Sequence, residues 1–388
     1  MTGRCPQKLY RKCEPETDSI SGGVAMSNLV RLFVVLALLG GCASVANAQE
    51  GATRAEFECL ALANSSNKAA PGEKSPFDSF HHVWTPGLRY GSFLSKGVRL
   101  AYEMEGDGPE TVIVVHGGPG LPHDFYHPVL SQLSRYLTIV YFDRRADMLS
   151  FTASGPASLG EMAEDVEALR ESLHLDRVTL LGHSFGGAVA LTYGLRHPER
   201  VKRLILVGTS ATIENPADVE KRIAKSLAPN ESMTYYSSEG SSGVVTPCDR
   251  VRRRYRLLAP RYFHRPPDGQ TLDRSVYEMY FDALARKQVL ANEAGGFDVR
   301  ARLGEIKAPT LVIGGRYDLV TPLDQASELA GGLPLSRLVV MEHSGHFPFI
   351  EEGYVFTEWV RRFINATPGG SSDTLMSSEV TASKGPAN

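Results

Sequence analysis

Between Thr111 and Ile364, short runs of β-branched and aliphatic residues alternate with stretches of helical length. That alternation restricts the chain to a mainly parallel central sheet with helices on both faces, because parallel neighbours need a long crossover and helices are the usual way to cover it. The runs Thr111–Val115, Leu137–Phe142, Val178–Leu181, Arg203–Val207, Thr310–Ile313 and Leu338–Met341 are predicted strands; they are short and apolar, as strands buried on both sides must be. Helices are predicted over Leu159–Leu173 with Ser158 as N-cap, over Gly186–Arg196 ahead of Pro198, and over Tyr354–Ile364. In the last of these Val355, Trp359, Val360 and Phe363 share one stripe. From about Ala211 to Leu303 the pattern is mostly helical, which predicts a cap inserted before the strand at Thr310 and lying over the carboxyl edge of the sheet, where ligands bind in such folds.

The ends of the chain read differently. Arg31 precedes Leu32-Phe33-Val34-Val35-Leu36-Ala37-Leu38-Leu39, a run shorter than the roughly 20 residues of a membrane span but suited to the apolar region of an export signal. Ala46-Asn47-Ala48 supplies a small-x-small cleavage pattern that makes Gln49 the first mature residue, and Leu39-Gly40-Gly41-Cys42 offers the alternative of a lipidated Cys42 anchored in a membrane. The residues ahead of Met26 do not resemble a signal, so translation starting at Met26 is an alternative to Met1. The predicted divisions are an export segment at 1–48, a leader at 49–85, core at 86–210, cap at 211–304, core at 305–366 and a polar, disordered tail at 367–388. Export would leave Cys59 and Cys248, and an oxidising compartment would permit either a bridge or two thiols.

Gly182-His183-Ser184-Phe185-Gly186 lies between a predicted strand and a predicted helix. In that context Gly-x-Ser-x-Gly is a sharp turn that presents the serine at the sheet edge, with small residues on either side where backbone passes closely. A serine hydroxyl needs a base to take its proton and an acid to orient that base. Asp318 ends Gly314-Gly315-Arg316-Tyr317-Asp318, just past a predicted strand, and His346 lies in His343-Ser344-Gly345-His346-Phe347-Pro348, past the next one. His343 is the rival base; it sits closer to the strand end, so loop position favours His346. His183 reads as a packing or hydrogen-bonding residue. For an oxyanion, Phe185 N–H and Gly118 N–H are the expected donors, with Gly117 as the neighbour that could replace Gly118.

His116-Gly117-Gly118-Pro119-Gly120 and the serine turn together resemble the proline iminopeptidase family of α/β-hydrolases, over roughly Leu88–Phe363. The chain departs from that family at Phe185, where a tryptophan is usual, and at Asp143-Arg144-Arg145-Ala146, where the family carries Asp-Gln-Arg-Gly. The resemblance implies the α/β-hydrolase fold and a serine aminopeptidase that removes an N-terminal residue, often proline, from a short peptide or aminoacyl amide, with cap acids holding the free amine. Hydrolysis of small carboxylic esters, amides or lactones stays open beside it.

Glu278 and Asp282, four residues apart on a helical stretch of the cap, could converge on such an amine, although a solvated acidic face is the commoner role of such a pair. The basic residues Arg250, Arg252, Arg253, Arg254 and Arg256 read first as a solvated face and second as an attractor of anions. With a net charge of −3 and no long basic segment, a nucleic-acid partner is not expected. Nor is a metal or cofactor expected, since the chain lacks His-Glu-x-x-His, paired Cys-x-x-Cys and phosphate-loop motifs.

Overall fold

A computed structural model describes residues 87–118, 123–145, 158–240, 256–267 and 296–366. Among these residues eight strands form one sheet: β1 (Arg89–Ser95), β2 (Val98–Glu105), β3 (Thr111–Val115), β4 (Thr138–Phe142), β5 (Val178–His183), β6 (Val201–Val207), β7 (Thr310–Gly315) and β8 (Ser336–Met341). Their order is β1-β2-β4-β3-β5-β6-β7-β8. β2 pairs antiparallel with β1 and β4, and every pairing from β4 to β8 is parallel. The mainly parallel sheet expected from the alternation is therefore present, with an antiparallel edge added.

That edge is what the sequence pattern did not reveal. β1 reads RYGSFLS and is half exposed, so its side chains alternate too weakly to stand out from a loop. The predicted strands all form, and several run longer: β5 extends to His183, β6 begins at Val201 and β7 reaches Gly315. The glycines and the histidine that close these strands are poor strand formers, recruited by pairing with already buried neighbours.

The main helices among the described residues are α1 (Leu159–Ser172), α2 (Phe185–Arg196), α3 (Pro216–Ala224), α4 (Pro229–Gly240), α5 (Leu323–Gly332) and α6 (Gly353–Asn365). α1 starts on a capping box: Ser158 Oγ accepts from Glu161 N at 3.1 Å and Glu161 Oε2 accepts from Ser158 N at 3.0 Å, a device worth about 1 kcal/mol. α5 lay outside the predicted helices. In α6 the buried stripe is Phe356, Val360, Phe363 and Ile364, with Val355 and Trp359 packed at its margin.

Two apolar cores sandwich the sheet. On one side Ile113, Val115, Leu180 and Leu204 pack with α1, α2 and α5; on the other Val112, Val114, Leu181 and Ile313 pack with α6. Each fully buried Val, Leu or Ile contributes roughly 1.5–3 kcal/mol, so these alternating contacts fix the strand register that places the loops at the carboxyl edge. A third cluster joins α3 and α4 through Val219, Ile223, Leu227 and Tyr235 to Leu258 and to Val320 in the loop after β7. Glu278, Asp282, Arg250, Arg252, Arg253, Arg254, Cys42, Cys59 and Cys248 lie outside the described residues. Among the described residues no helix is long and apolar enough to cross a membrane.

Candidate active site

Ser184 follows β5 and precedes α2 with φ 52° and ψ −121°, a left-handed conformation that a non-glycine residue adopts only when its surroundings enforce it. Here the enforcement is backbone pairing and close passage. Ser184 N–H donates to Val207 O at 2.9 Å, and a Cβ on Gly186 would collide with the carbonyl oxygens of Val115 and His116. The turn is thus clamped between β3 and β6, and its side chain projects from the sheet edge.

Three side chains from separate loops meet there. His346 Nε2 is 3.0 Å from Ser184 Oγ, and His346 Nδ1 is 2.8 Å from Asp318 Oδ2. Asp318 and His346 are both buried. Asp318 Oδ1 accepts from the backbone N–H of Val320 at 2.7 Å and of Thr321 at 3.0 Å, while Oδ2 also accepts from Thr321 Oγ1 at 2.7 Å. Burial pushes the Asp318 carboxyl up, but His346 and the Thr321 donors outweigh it and hold the group below the usual carboxylate range. An ionised acid on Nδ1 keeps that proton in place and leaves Nε2 free to accept one from Ser184 Oγ. His343, by contrast, is exposed, and its backbone N–H donates to Glu352 Oε2 at 2.9 Å.

The loop after β3 supplies the other half of the site. Gly118 is buried with φ 48°, a conformation that favours glycine. Gly117 N–H donates to Tyr126 Oη at 2.8 Å and is engaged there. Gly118 N–H belongs to the same peptide as Gly117 C=O, and that carbonyl accepts from Arg144 Nη2 at 3.3 Å and sits 3.0 Å from His116 Nδ1. Arg144 also donates to Gly118 O, is itself wholly buried, and lies 5.4 Å from the centre of the Phe185 ring. Phe185 is the first residue of α2, where helical N–H groups have no partner within the helix and the dipole favours negative charge. The Gly118 and Phe185 peptides thus belong to the two segments that flank Ser184.

Several contributors were not singled out from the sequence. Thr321 lies three residues past Asp318 and completes its hydrogen bonds, a spacing that could have been noticed. Tyr262, in the one-turn helix Ala259–Tyr262, accepts from His346 N with its carbonyl and sets its ring edge-on to the imidazole at 5.8 Å. Glu351 takes the backbone N–H groups of His264, Arg265 and Gly345 at 2.7, 2.9 and 2.6 Å, tying the segment after that turn to the histidine loop. No local pattern marks either residue. Arg145 pairs with buried Asp165 of α1, its Nε donating to Oδ2 at 2.8 Å.

A family model described as "alpha/beta hydrolase fold" matches residues 110–353. A proline iminopeptidase of Saccharolobus solfataricus is 28% identical over 278 residues, covering 68% of this chain and 87% of the relative. The 2-hydroxy-6-oxononadienedioate/2-hydroxy-6-oxononatrienedioate hydrolase of Paraburkholderia xenovorans is 28% identical over 298 residues, covering 69% of this chain and 91% of the relative. Among solved structures, a proline iminopeptidase from Mycobacterium smegmatis gives a TM-score of 0.59 at 20% identity, covering 71% of this chain and 97% of that one, a likeness of fold.

Proposed function

This chain belongs to the alpha/beta hydrolase fold family, and from that premise we infer that it is an exported serine hydrolase of aminopeptidase type, releasing N-terminal residues from short peptides or aminoacyl amides. The observation that carries the serine mechanism is the unbroken line of contacts from Ser184 Oγ through His346 to Asp318. As Ser184 Oγ attacks the substrate carbonyl, its proton passes to His346 Nε2 and the imidazolium is stabilised by Asp318. Gly118 and Phe185 N–H receive the oxyanion. Collapse of the tetrahedral adduct sends the His346 proton to the leaving amine, and water activated by the same imidazole then hydrolyses the acyl-enzyme.

The aminopeptidase specificity is supported by the His116–Gly120 loop and by the similarity to a proline iminopeptidase. Glu278 and Asp282 are the proposed amine partners. Export rests on the Arg31–Leu39 run with the Ala46-Asn47-Ala48 site, and Cys42 is the proposed anchor if lipidation replaces simple cleavage. A second reading, hydrolysis of small esters, amides or lactones, is favoured by Phe185 and Arg144, which stand where the iminopeptidases carry tryptophan and glutamine and lie together beside the oxyanion loop.

Turnover of prolyl naphthylamide, its N-acetylated form and a p-nitrophenyl ester by one preparation separates the two. The aminopeptidase reading predicts turnover of the free amine with a loss of at least tenfold on acetylation. Equal rates for free and blocked amides, with faster ester cleavage, would replace it with the second reading.

A further inference from the structure

Away from Ser184, one face of the antiparallel edge carries a second cluster of chemically capable side chains. Glu103 and Glu105 alternate on β2 and so share a face. Against that face lies the one-turn 3₁₀ segment His123–Tyr126 running into the short helix His127–Leu130, which sets His123 and His127 four residues apart. Both imidazoles are buried and stack on Tyr141 of β4, at 5.9 and 4.1 Å between ring centres.

The two rings aim at one point. His123 Nε2 is 3.3 Å and His127 Nε2 3.4 Å from the same oxygen, Oε2 of Glu103, and the three atoms fall within 4.8 Å of one another. Beyond these ionic contacts with Glu103, neither Nε2 has a hydrogen-bond partner among the described residues. A tetrahedral zinc ion with bonds of about 2.0–2.1 Å separates its ligand atoms by roughly 3.3–3.4 Å, so both nitrogen–oxygen separations match ligands of one ion, with the two nitrogens within 4.8 Å of each other.

What lies behind the rings fits the same reading. His123 Nδ1 is 2.9 Å from Asp143 Oδ1, so that nitrogen can donate to Asp143, while Nε2 faces Glu103 and is the atom that would bind an ion on giving up its proton. His127 Nδ1 lies 3.9 Å from Glu105 Oε1, an oxygen already fixed by Tyr141 Oη at 2.6 Å and Ser131 Oγ at 2.8 Å. Ligating imidazoles backed by carboxylates are the arrangement that sets tautomer and ring orientation at metal sites. Two histidines, a ligating carboxylate and two supporting carboxylates also gather enough negative charge to favour a divalent cation.

We propose that Glu103, His123 and His127 form a site for a divalent transition-metal ion, zinc in the first instance, with Asp143 and Glu105 as its outer partners. The ligands come from a strand and a helix turn rather than from one short motif, and so match none of the metal motifs sought in the sequence. The site is structural. It pins the segment leaving the Gly117–Gly118 loop to β2, and through Asp143 it adjoins Arg144, which holds that loop's carbonyl oxygens.

The test uses the untagged full chain, stripped with a chelator and titrated with zinc chloride by calorimetry, with thermal unfolding in parallel. One equivalent is expected to bind and to raise the melting temperature; Glu103→Gln and His127→Gln each weaken binding at least tenfold and abolish the thermal shift. A wild-type chain that takes no zinc, or variants that bind as the wild type does, would overturn the proposal. Should a variant not fold, Co²⁺ in the wild-type chain decides: intense visible bands of a tetrahedral ion are expected, and the weak spectrum of the hydrated ion would contradict the site.

Discussion

His183 Nε2 lies 2.9 Å from the carbonyl oxygen of His346, so the residue preceding Ser184 holds the backbone of the loop that bears its base. A carbonyl only accepts, which puts the His183 proton on Nε2 and leaves Nδ1 to accept from Tyr126 O–H at 2.7 Å. The Tyr126 oxygen in turn accepts from Gly117 N–H. One line of hydrogen bonds therefore joins the oxyanion loop, the serine turn and the histidine loop, and it requires a neutral His183.

Burial, and next the nearby His346, hold the His183 pKa at about 3 against an ordinary 6.5. The unfolded chain binds this proton more readily than the folded one, so stability is complete above pH 6.5 and is lost as pH falls toward 3. Thermal unfolding between pH 7 and 4 should show a slope approaching one proton, about 1.4 kcal/mol per pH unit, and His183→Phe should remove that component of it. An identical slope in the variant would contradict this assignment.

Asp318→Asn is expected to lower kcat by roughly 10³–10⁴ while leaving the fold intact, because an amide oxygen can still accept from Val320 and Thr321 N–H but no longer stabilises an imidazolium. Thr321→Val, which removes one donor to Oδ2, should cost far less, about tenfold. Steady-state kinetics with circular dichroism checks both; a small effect of Asp318→Asn would mean that another acid orients His346.

Arg144→Met should lower kcat by about 10-fold to 10²-fold with little change in KM, since the guanidinium orients the Gly117 and Gly118 carbonyls and, through them, the Gly118 N–H. A change confined to KM would instead make Arg144 a substrate contact.

The serine turn, the acid loop and the histidine loop were legible because each follows a strand of the sheet, and those strands announce themselves by short apolar runs such as Thr310–Ile313. Choosing His346 over His343 needed only loop position, and the structure puts His343 in solvent. Gly118 was the expected donor with Gly117 as its possible substitute, and what sets Gly117 aside is its N–H bond to Tyr126, a partner from another turn that sequence does not show. The contacts of Arg144, Tyr262 and Glu351 were illegible for the same reason. Their partners are backbone atoms from distant segments, and backbone atoms leave no trace in residue identity. The Glu103–His123–His127 cluster escaped too, since its spacing crosses from strand to helix.

Glu351→Ala should loosen the histidine loop and the segment after Tyr262 together, leaving the N–H groups of buried Gly345, half-buried His264 and exposed Arg265 without their carboxylate. A stability loss of about 2–4 kcal/mol in urea unfolding is expected, with a smaller loss in Glu351→Gln. Equal behaviour of the two variants would show that packing rather than hydrogen bonding anchors the loop.

The central claim, that Ser184 is a nucleophile activated by His346, is tested most directly by a fluorophosphonate probe followed by peptide mass spectrometry. A single adduct on Ser184 is predicted in the folded wild type, abolished in Ser184→Ala and slowed at least 10³-fold in His346→Ala. A folded wild-type chain that takes no adduct at Ser184, or a His346→Ala chain labelled at the wild-type rate, would contradict it.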